Sequence, residues 1–250
     1  MKEVKAALVA TLLSLSATAM SVEEKGHYKF RYVKHFQSSV TLAKATSSGI
    51  VEGKVVYVGK RKLENRKKLI TKDKEVCGTG YKIDEVYVVS DEGGVKNAVV
   101  FIEGAGNPPK ETVKLVQEKC EFHPRVIAMG AGSTLEVVNN DTVKHEANGV
   151  QDFETIFQLS QHKKGMVDRV ELKKPGVVEV TCNIHGWMKA WAVVIDSPYY
   201  AVTDEKGSFK ISGLPPGNYK LRLWHEGFGE KALNVKVEEG KPTSVVFELR

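Results

Sequence analysis

The feature that most restricts this chain is a series of short, valine-rich runs fenced by glycines. "IVEGKVVYVG" (50–59), "VKNAVVFIEG" (95–104), "VIAMGAGSTLEVVNND" (126–141) and "GVVEVTC" (176–182) all follow this rule. β-Branched residues at this density suit a pleated, half-buried surface, and glycine supplies the turns between runs. Alternation sets Leu135 and Val137 on one face, and Val178, Val180 and Cys182 on another. "TDEKGSFKISGLPPGNYKLRLW" (203–224) reads as turn, strand, Pro-Pro-Gly turn and strand. No amphipathic helix of ordinary length stands out; "DFETIFQLSQHKKG" (152–165) is the best candidate for a short one. The expected class is all-β. A length of 250 residues, 42% of them hydrophobic, is enough for more than one sandwich core.

The N-terminal "MKEVKAALVATLLSLSATAMS" has two early lysines, a short apolar run and a small-residue Ala17-Thr18-Ala19 site. That is the form of a secretory signal over residues 1–19, and it places the expected mature protein in the periplasm or outside the cell. Residues 20–48 mix basic, aromatic and hydroxyl side chains and read as a leader that can touch a membrane or a partner. The formal net charge of +6 favours anionic partners. Phosphate-binding loops, nucleic-acid signatures and paired catalytic carboxylates do not occur. Between the first two strands, "KRKLENRKKLITKDKEVCGTGYKIDE" (60–85) reads as a solvated basic loop.

Chemistry concentrates in "CNIHGWM" (182–188). Cys182 ends a strand whose inward face is already buried, and His185 and Met188 follow at spacings of three. His145, in "NNDTVKHE" (139–146), follows a strand expected alongside. Two imidazoles, a thiolate and a thioether are the ligand set of a blue-copper site. His123, on the expected first strand, reads as structural, and His162 and His225 lack a partner at ligand spacing. No His-x-His pair appears, and neither does a nucleophile–base arrangement, so the chain is not expected to be an enzyme.

These two segments resemble the cupredoxin family, in particular its short-loop members with Cys-x-x-His-x-x-Met. The resemblance covers 111–196, with "CEFHPRVIAMGAGSTLEVVNND" similar to the family's opening strands and "KKPGVVEVTC" to the strand that enters the ligand loop. It implies a Greek-key β-sandwich holding one copper ion. His145, Cys182 and His185 would be equatorial ligands, and Met188 the axial one. It implies too that His185 lies near the surface as the electron exit, beside Trp187. Where the family has asparagine after the upstream histidine, this chain has Glu146, a carboxylate able to stabilise Cu(II), lower the potential or ligate. Asn140 and Trp187 are the other neighbours expected to tune the ion.

The C-terminal segment "AVTDEKGSFKISGLPPGNYKLRLWHEGFGEKALNVKVEEGKPTSVVFEL" (201–249) resembles the carboxypeptidase regulatory-like domain, an Ig/transthyretin-like sandwich. The family's first two strands correspond to runs at 49–104, so residues 49–110 with 197–250 are expected to form one sandwich interrupted by the copper domain at 111–196. Two consecutive domains are the alternative. With Cys182 given to the metal, Cys77 and Cys120 either pair or both stay free. Three functions follow. One is an exported blue-copper electron carrier with an acidic redox partner. Another is copper binding without electron transfer, as a red-copper, storage or delivery site. The last is a structural sandwich with a vestigial site.

Overall fold

The computed structural model describes residues 48–250, so the expected signal (1–19) and all of the leader (20–48) except Ser48 lie outside the described residues. The described chain opens with β1 (Gly49–Tyr57). A hairpin of β2 (Arg66–Leu69) and β3 (Tyr81–Asp84) follows, with one helical turn, α1 (Lys74–Cys77), in its connection, and then β4 (Val99–Ile102). Next come β5 (Thr112–Glu118), β6 (Glu121–His123), β7 (Val126–Gly130), β8 (Ser133–Asn139), β9 (His145–Gln151), β10 (Glu154–Gln161), β11 (Val167–Leu172), β12 (Gly176–Cys182) and β13 (Lys189–Ile195). The last group is β14 (Tyr200–Val202), β15 (Ser208–Leu214), β16 (Gly217–His225), β17 (Gly229–Val237) and β18 (Pro242–Leu249).

The architecture is all-β, with two sandwiches. In the first, a sheet ordered β10-β9-β12-β13-β7 covers one ordered β11-β8-β5-β6. Leu115, Phe122, Leu135 and Val137 from one sheet meet Ile127, Met129, Val178 and Val180 from the other. The second sandwich sets β15-β1-β18 against β14-β4-β16-β17, with Val51, Phe209 and Phe247 packed on Val100, Leu221 and Leu223. It draws β1 and β4 from before the first sandwich and β14–β18 from after it.

The segment expected as a short helix at 152–165 is instead strand β10. Phe157, Leu159 and Gln161 alternate inward along it, and it pairs antiparallel with β9 from Gln161↔His145 onward. Period-two burial on a neighbouring strand outweighed a helical reading of the same apolar residues. The basic stretch 60–85 is likewise not a free loop. Its β2–β3 hairpin sends Ile70 and Cys77 into the core of the first sandwich.

The sandwiches meet through a smaller cluster in which Val126, Val193 and Ile195 pack on Val99 and Trp224. Arg125 completes the junction. Its guanidinium donates two hydrogen bonds to Glu226, at 2.6 and 2.8 Å, and one to Asp84 at 2.6 Å. The Trp191 indole N–H donates to the same Glu226 carboxylate at 2.9 Å. A two-pronged bond of this kind matches the planar guanidinium to a carboxylate. It fixes hairpin, first sandwich and second sandwich at one point.

Candidate metal centre

Period-two burial along β12 drives Val178, Val180 and Cys182 inward, so the thiol ends its strand inside the core. β9 starts at His145 and pairs with β12, setting Cys182 opposite Ala147. After β12 the chain turns back, and the Met188 N–H donates to the His185 carbonyl at 2.9 Å. His145 and His185 are completely buried. Met188 and Trp187 are buried in the same cluster as Cys182.

Three donor atoms converge there. Cys182 Sγ lies 3.9 Å from His145 Nδ1 and 3.8 Å from His185 Nδ1, and the two nitrogens are 3.1 Å apart. The centre of that triangle is about 2.1 Å from each corner, which is the length of a metal–imidazole bond and a little short of a metal–thiolate bond. The residues therefore fit a single soft or borderline ion without rearrangement.

The far nitrogen of each ring is also held. His145 Nε2 lies 2.9 Å from Asp141 Oδ2, and His185 Nε2 lies 2.8 Å from Asp73 Oδ2. A carboxylate at Nε2 can hold a proton on that nitrogen, so that Nδ1 is able to turn its lone pair to a metal, as in carboxylate–histidine–metal arrangements. Asp141 has a second task. Lys119 and Cys120 join β5 to β6 in a two-residue turn with φ of 51° and 55°, a left-handed conformation that side chains other than glycine resist. The Asp141 carboxylate accepts from both their amides, at 2.7 and 2.9 Å, and so offsets that cost. Cys120 is bonded to Cys77 with an S–S distance of 2.02 Å, and its carbonyl accepts from the Trp187 indole at 3.0 Å.

Electrostatics follow from this packing. Burial opposes ionisation of the Cys182 thiol, but hydrogen bonds from His145, His185 and the backbone bring its pKa from 9.0 down to about 5. Burial also disfavours a charged His185, yet the Cys182 sulfur and Asp73 raise its pKa. The sulfur and the Asp73 carboxylate thus both favour a proton on His185, with which a metal would compete. Two further groupings crowd the spot. The donor atoms of Cys77, Cys120 and His185, and those of Cys120, Asp141 and His145, each lie within 4.8 Å of one another. Both use bridged cysteine sulfur, which has no thiolate to offer a metal. Cys182 is the free cysteine among the described residues.

Three expectations need correction. His185 is not near the surface: α1 is preceded by Asp73, and the hairpin tip that carries it covers the ring completely. Glu146 turns away from the cluster. Its carboxylate accepts from Ser160 Oγ at 2.9 Å and Asn183 Nδ2 at 3.4 Å, and its carbonyl accepts from the Asn183 N–H at 3.0 Å. Strand alternation points His145 inward and therefore Glu146 outward, where it ties β9 to the segment after Cys182. Asn140 also points elsewhere, donating to Glu118 Oε1 at 2.7 Å; its neighbour Asp141 meets the ligand ring. Trp187 does stand against His185, with ring centroids 5.1 Å apart. Sequence reasoning missed Asp73 and Asp141. The second had a signal, an aspartate four residues before His145; the first, 112 residues from its partner in a lysine-rich run, had none.

Residues 189–250 match the carboxypeptidase regulatory-like domain family. No curated protein matches the chain. Among solved structures, a copper-containing nitrite reductase from Thermus scotoductus is similar over 33% of this chain and 22% of its own, at 28% identity and a TM-score of 0.29. A purple cupredoxin from Nitrosopumilus maritimus is similar over 33% of this chain and 98% of its own, at 16% identity and 0.29. Amicyanin from Paracoccus versutus is similar over 38% and 96%, at 16% identity and 0.31. The chain thus spans about a fifth of the nitrite reductase.

Proposed function

We propose that this chain is an exported protein that holds one copper ion and carries single electrons, acting as a carrier and not as a catalyst. The observation that supports this most is the triangle of Cys182, His145 and His185, closed around a point at bonding distance from all three. Met188, buried in the same core as Cys182, would be the weak fourth ligand. Copper at such a set supplies one-electron exchange with little change of geometry. The protein does the rest. Cys182 is ionised at neutral pH, Asp141 and Asp73 hold the two rings, and the packed core excludes water. An N-terminal signal-type sequence and the Cys77–Cys120 bond both suit an oxidising compartment.

One observation favours a second reading, copper held without electron exchange: His185 has no exposed surface through which a partner could reach it. Visible absorption and protein-film voltammetry of the copper-loaded chain decide between them. An intense thiolate-to-copper band, a reversible one-electron wave and one copper per chain, all lost in Cys182→Ser, are expected. Copper uptake with the band but no wave supports the second reading. Equal copper in the native chain and Cys182→Ser overturns both.

A further inference from the structure

We infer that the outer face of the β2–β3 hairpin is the docking surface for an acidic electron-transfer protein, with Asp73 as its contact to the buried ligand His185. This rests on the copper reading above and names the surface that reading lacks.

The hairpin register defines the face. Leu69 stands opposite Tyr81 and Lys67 opposite Ile83, while Arg66 faces Asp84 and Lys68 faces Lys82. The second pair of rungs turns toward the body of the protein, through Lys68–Asp84 at 3.2 Å and Lys82–Glu121 at 3.1 Å. The first pair turns out. Leu69 is 54% exposed, Tyr81 61% and Ile83 44%, all on this one small face. An ordinary surface hairpin has no reason to present three apolar side chains in register to water. An apolar centre with an aromatic anchor and a charged rim is the anatomy of a protein interface.

The rim gives the sign of the partner. Lys67 lies within the apolar face, and Lys72 and Lys74 flank Asp73 on the exposed tip. None of the three makes an ion pair among the described residues, whereas most other lysines around the centre do. Unneutralised lysines beside an apolar patch steer an acidic surface to it. The position gives the purpose. Asp73 Oδ2 is 2.8 Å from His185 Nε2 while its side chain remains 35% exposed, so a partner on the hairpin tip stands one carboxylate away from a ligand that is otherwise sealed. Three apolar side chains make a small contact, as transient electron-transfer encounters do. They are too few for stable membrane attachment.

The test uses the acidic soluble haem domain of cytochrome b5 as probe. Amide shifts of the metal-free, isotope-labelled chain are recorded during its addition, and the affinity is measured for three forms. These are the native chain, Lys67→Glu/Lys72→Glu/Lys74→Glu, and a control, Lys206→Glu/Lys241→Glu, on the second sandwich. Shifts confined to residues 66–84, an affinity lowered at least about tenfold in the hairpin variant, and little change in the control are expected. Tyr81→Ala should weaken binding without altering the salt dependence. Shifts elsewhere, or equal losses in both charge variants, overturn the proposal. So does attachment to anionic phosphatidylserine vesicles in place of the haem domain, or self-association through the hairpin. Because this arm needs no copper, its failure is separate from a failure of the copper reading. With copper loaded, one electron passes from ferrous haem to the oxidised site with no bond made or broken, and its rate should fall in the same order as the affinity.

Discussion

The two sandwiches share a plan and differ in how they close. The second closes mainly by apolar packing: its core is built of Val, Ile, Leu, Phe and Ala side chains, from Val51 to Leu249, with Thr203 and His225 as buried polar side chains. The first holds His145, His185, Gln117, Asn139 and Asp141 at the same depth. A buried polar group costs stability unless every donor and acceptor finds a partner. The first sandwich meets that condition for its two imidazoles with outside help: the Asp141 carboxylate on three donors, the hairpin's Asp73, and a disulfide that fastens the hairpin down, while Gln117 Oε1 stays without a partner among the described residues. Apolar surface holds one sandwich together; the other spends part of its stability on positioning a thiolate and two rings, and recovers it through cross-links.

That contrast predicts a large, one-sided effect from the bridge. Cys77 and Cys120 are 43 residues apart, and closing a loop of that size is worth about 4 kcal/mol in the chain-entropy treatment. Cys77→Ser/Cys120→Ser should therefore lower the stability of the first sandwich by about that amount, measured as amide hydrogen exchange across 112–195. Exchange across 200–249 should change far less. A uniform loss in both spans would mean that the sandwiches unfold as one and that the contrast is only local. The converse change is Leu223→Ala, in the fully buried centre of the second core. It should cost about 3 kcal/mol in denaturant unfolding followed at the second sandwich, with copper affinity unchanged within about twofold. A parallel fall in affinity would show that the junction at Arg125 and Glu226 carries strain into the metal centre.

The same contrast explains what could be read in the chain. Short strands, glycine turns and the all-β class come from local pattern, and so does the inward placement of Cys182, which alternation with Val178 and Val180 dictates. The nearness of His145 was readable because β9 and β12 are adjacent strands. The rest was not local. Nothing in "TKDKEV" marks Asp73 as the partner of a residue 112 positions away, because a lone acid among lysines is what a solvated loop contains. Asn140 and Asp141 differ by one position in a turn, where no periodicity decides which side chain faces inward. At 152–165 the apolar residues satisfied a helical spacing loosely, and pairing with β9 settled the matter.

Asp73 offers a smaller effect that separates the two carboxylates. Asp73→Asn removes the charge behind His185 but leaves the Lys119–Cys120 turn alone, since Asp141 holds that turn. Copper affinity, by competition with a chelator, should fall about 10- to 100-fold, with thermal unfolding of the metal-free chain nearly unchanged. Asp141→Asn should lower both affinity and stability. If Asp73→Asn destabilises the metal-free chain as much as Asp141→Asn does, the hairpin tip is chiefly a structural plug, and its contact to His185 is incidental.

The smallest effect belongs to Glu146, the residue that by position alone looked nearest to the candidate metal centre. Hydrogen bonds from Ser160 and Asn183, with Lys144 nearby, hold its carboxyl below the usual range. A group with a lowered pKa contributes stability above its unfolded pKa, and loses it as pH falls through the folded one. Glu146→Gln should therefore lower the melting temperature slightly at neutral pH and not at all once the carboxyl is protonated, so the two melting curves converge in acid. Copper affinity and the visible band should be the same in both proteins, because the side chain lies on the outside of β9 while His145 lies on the inside. A shifted band in Glu146→Gln would place that carboxylate among the groups that touch the ion, and the first sandwich would then have an open end where His145 and the hairpin now close it.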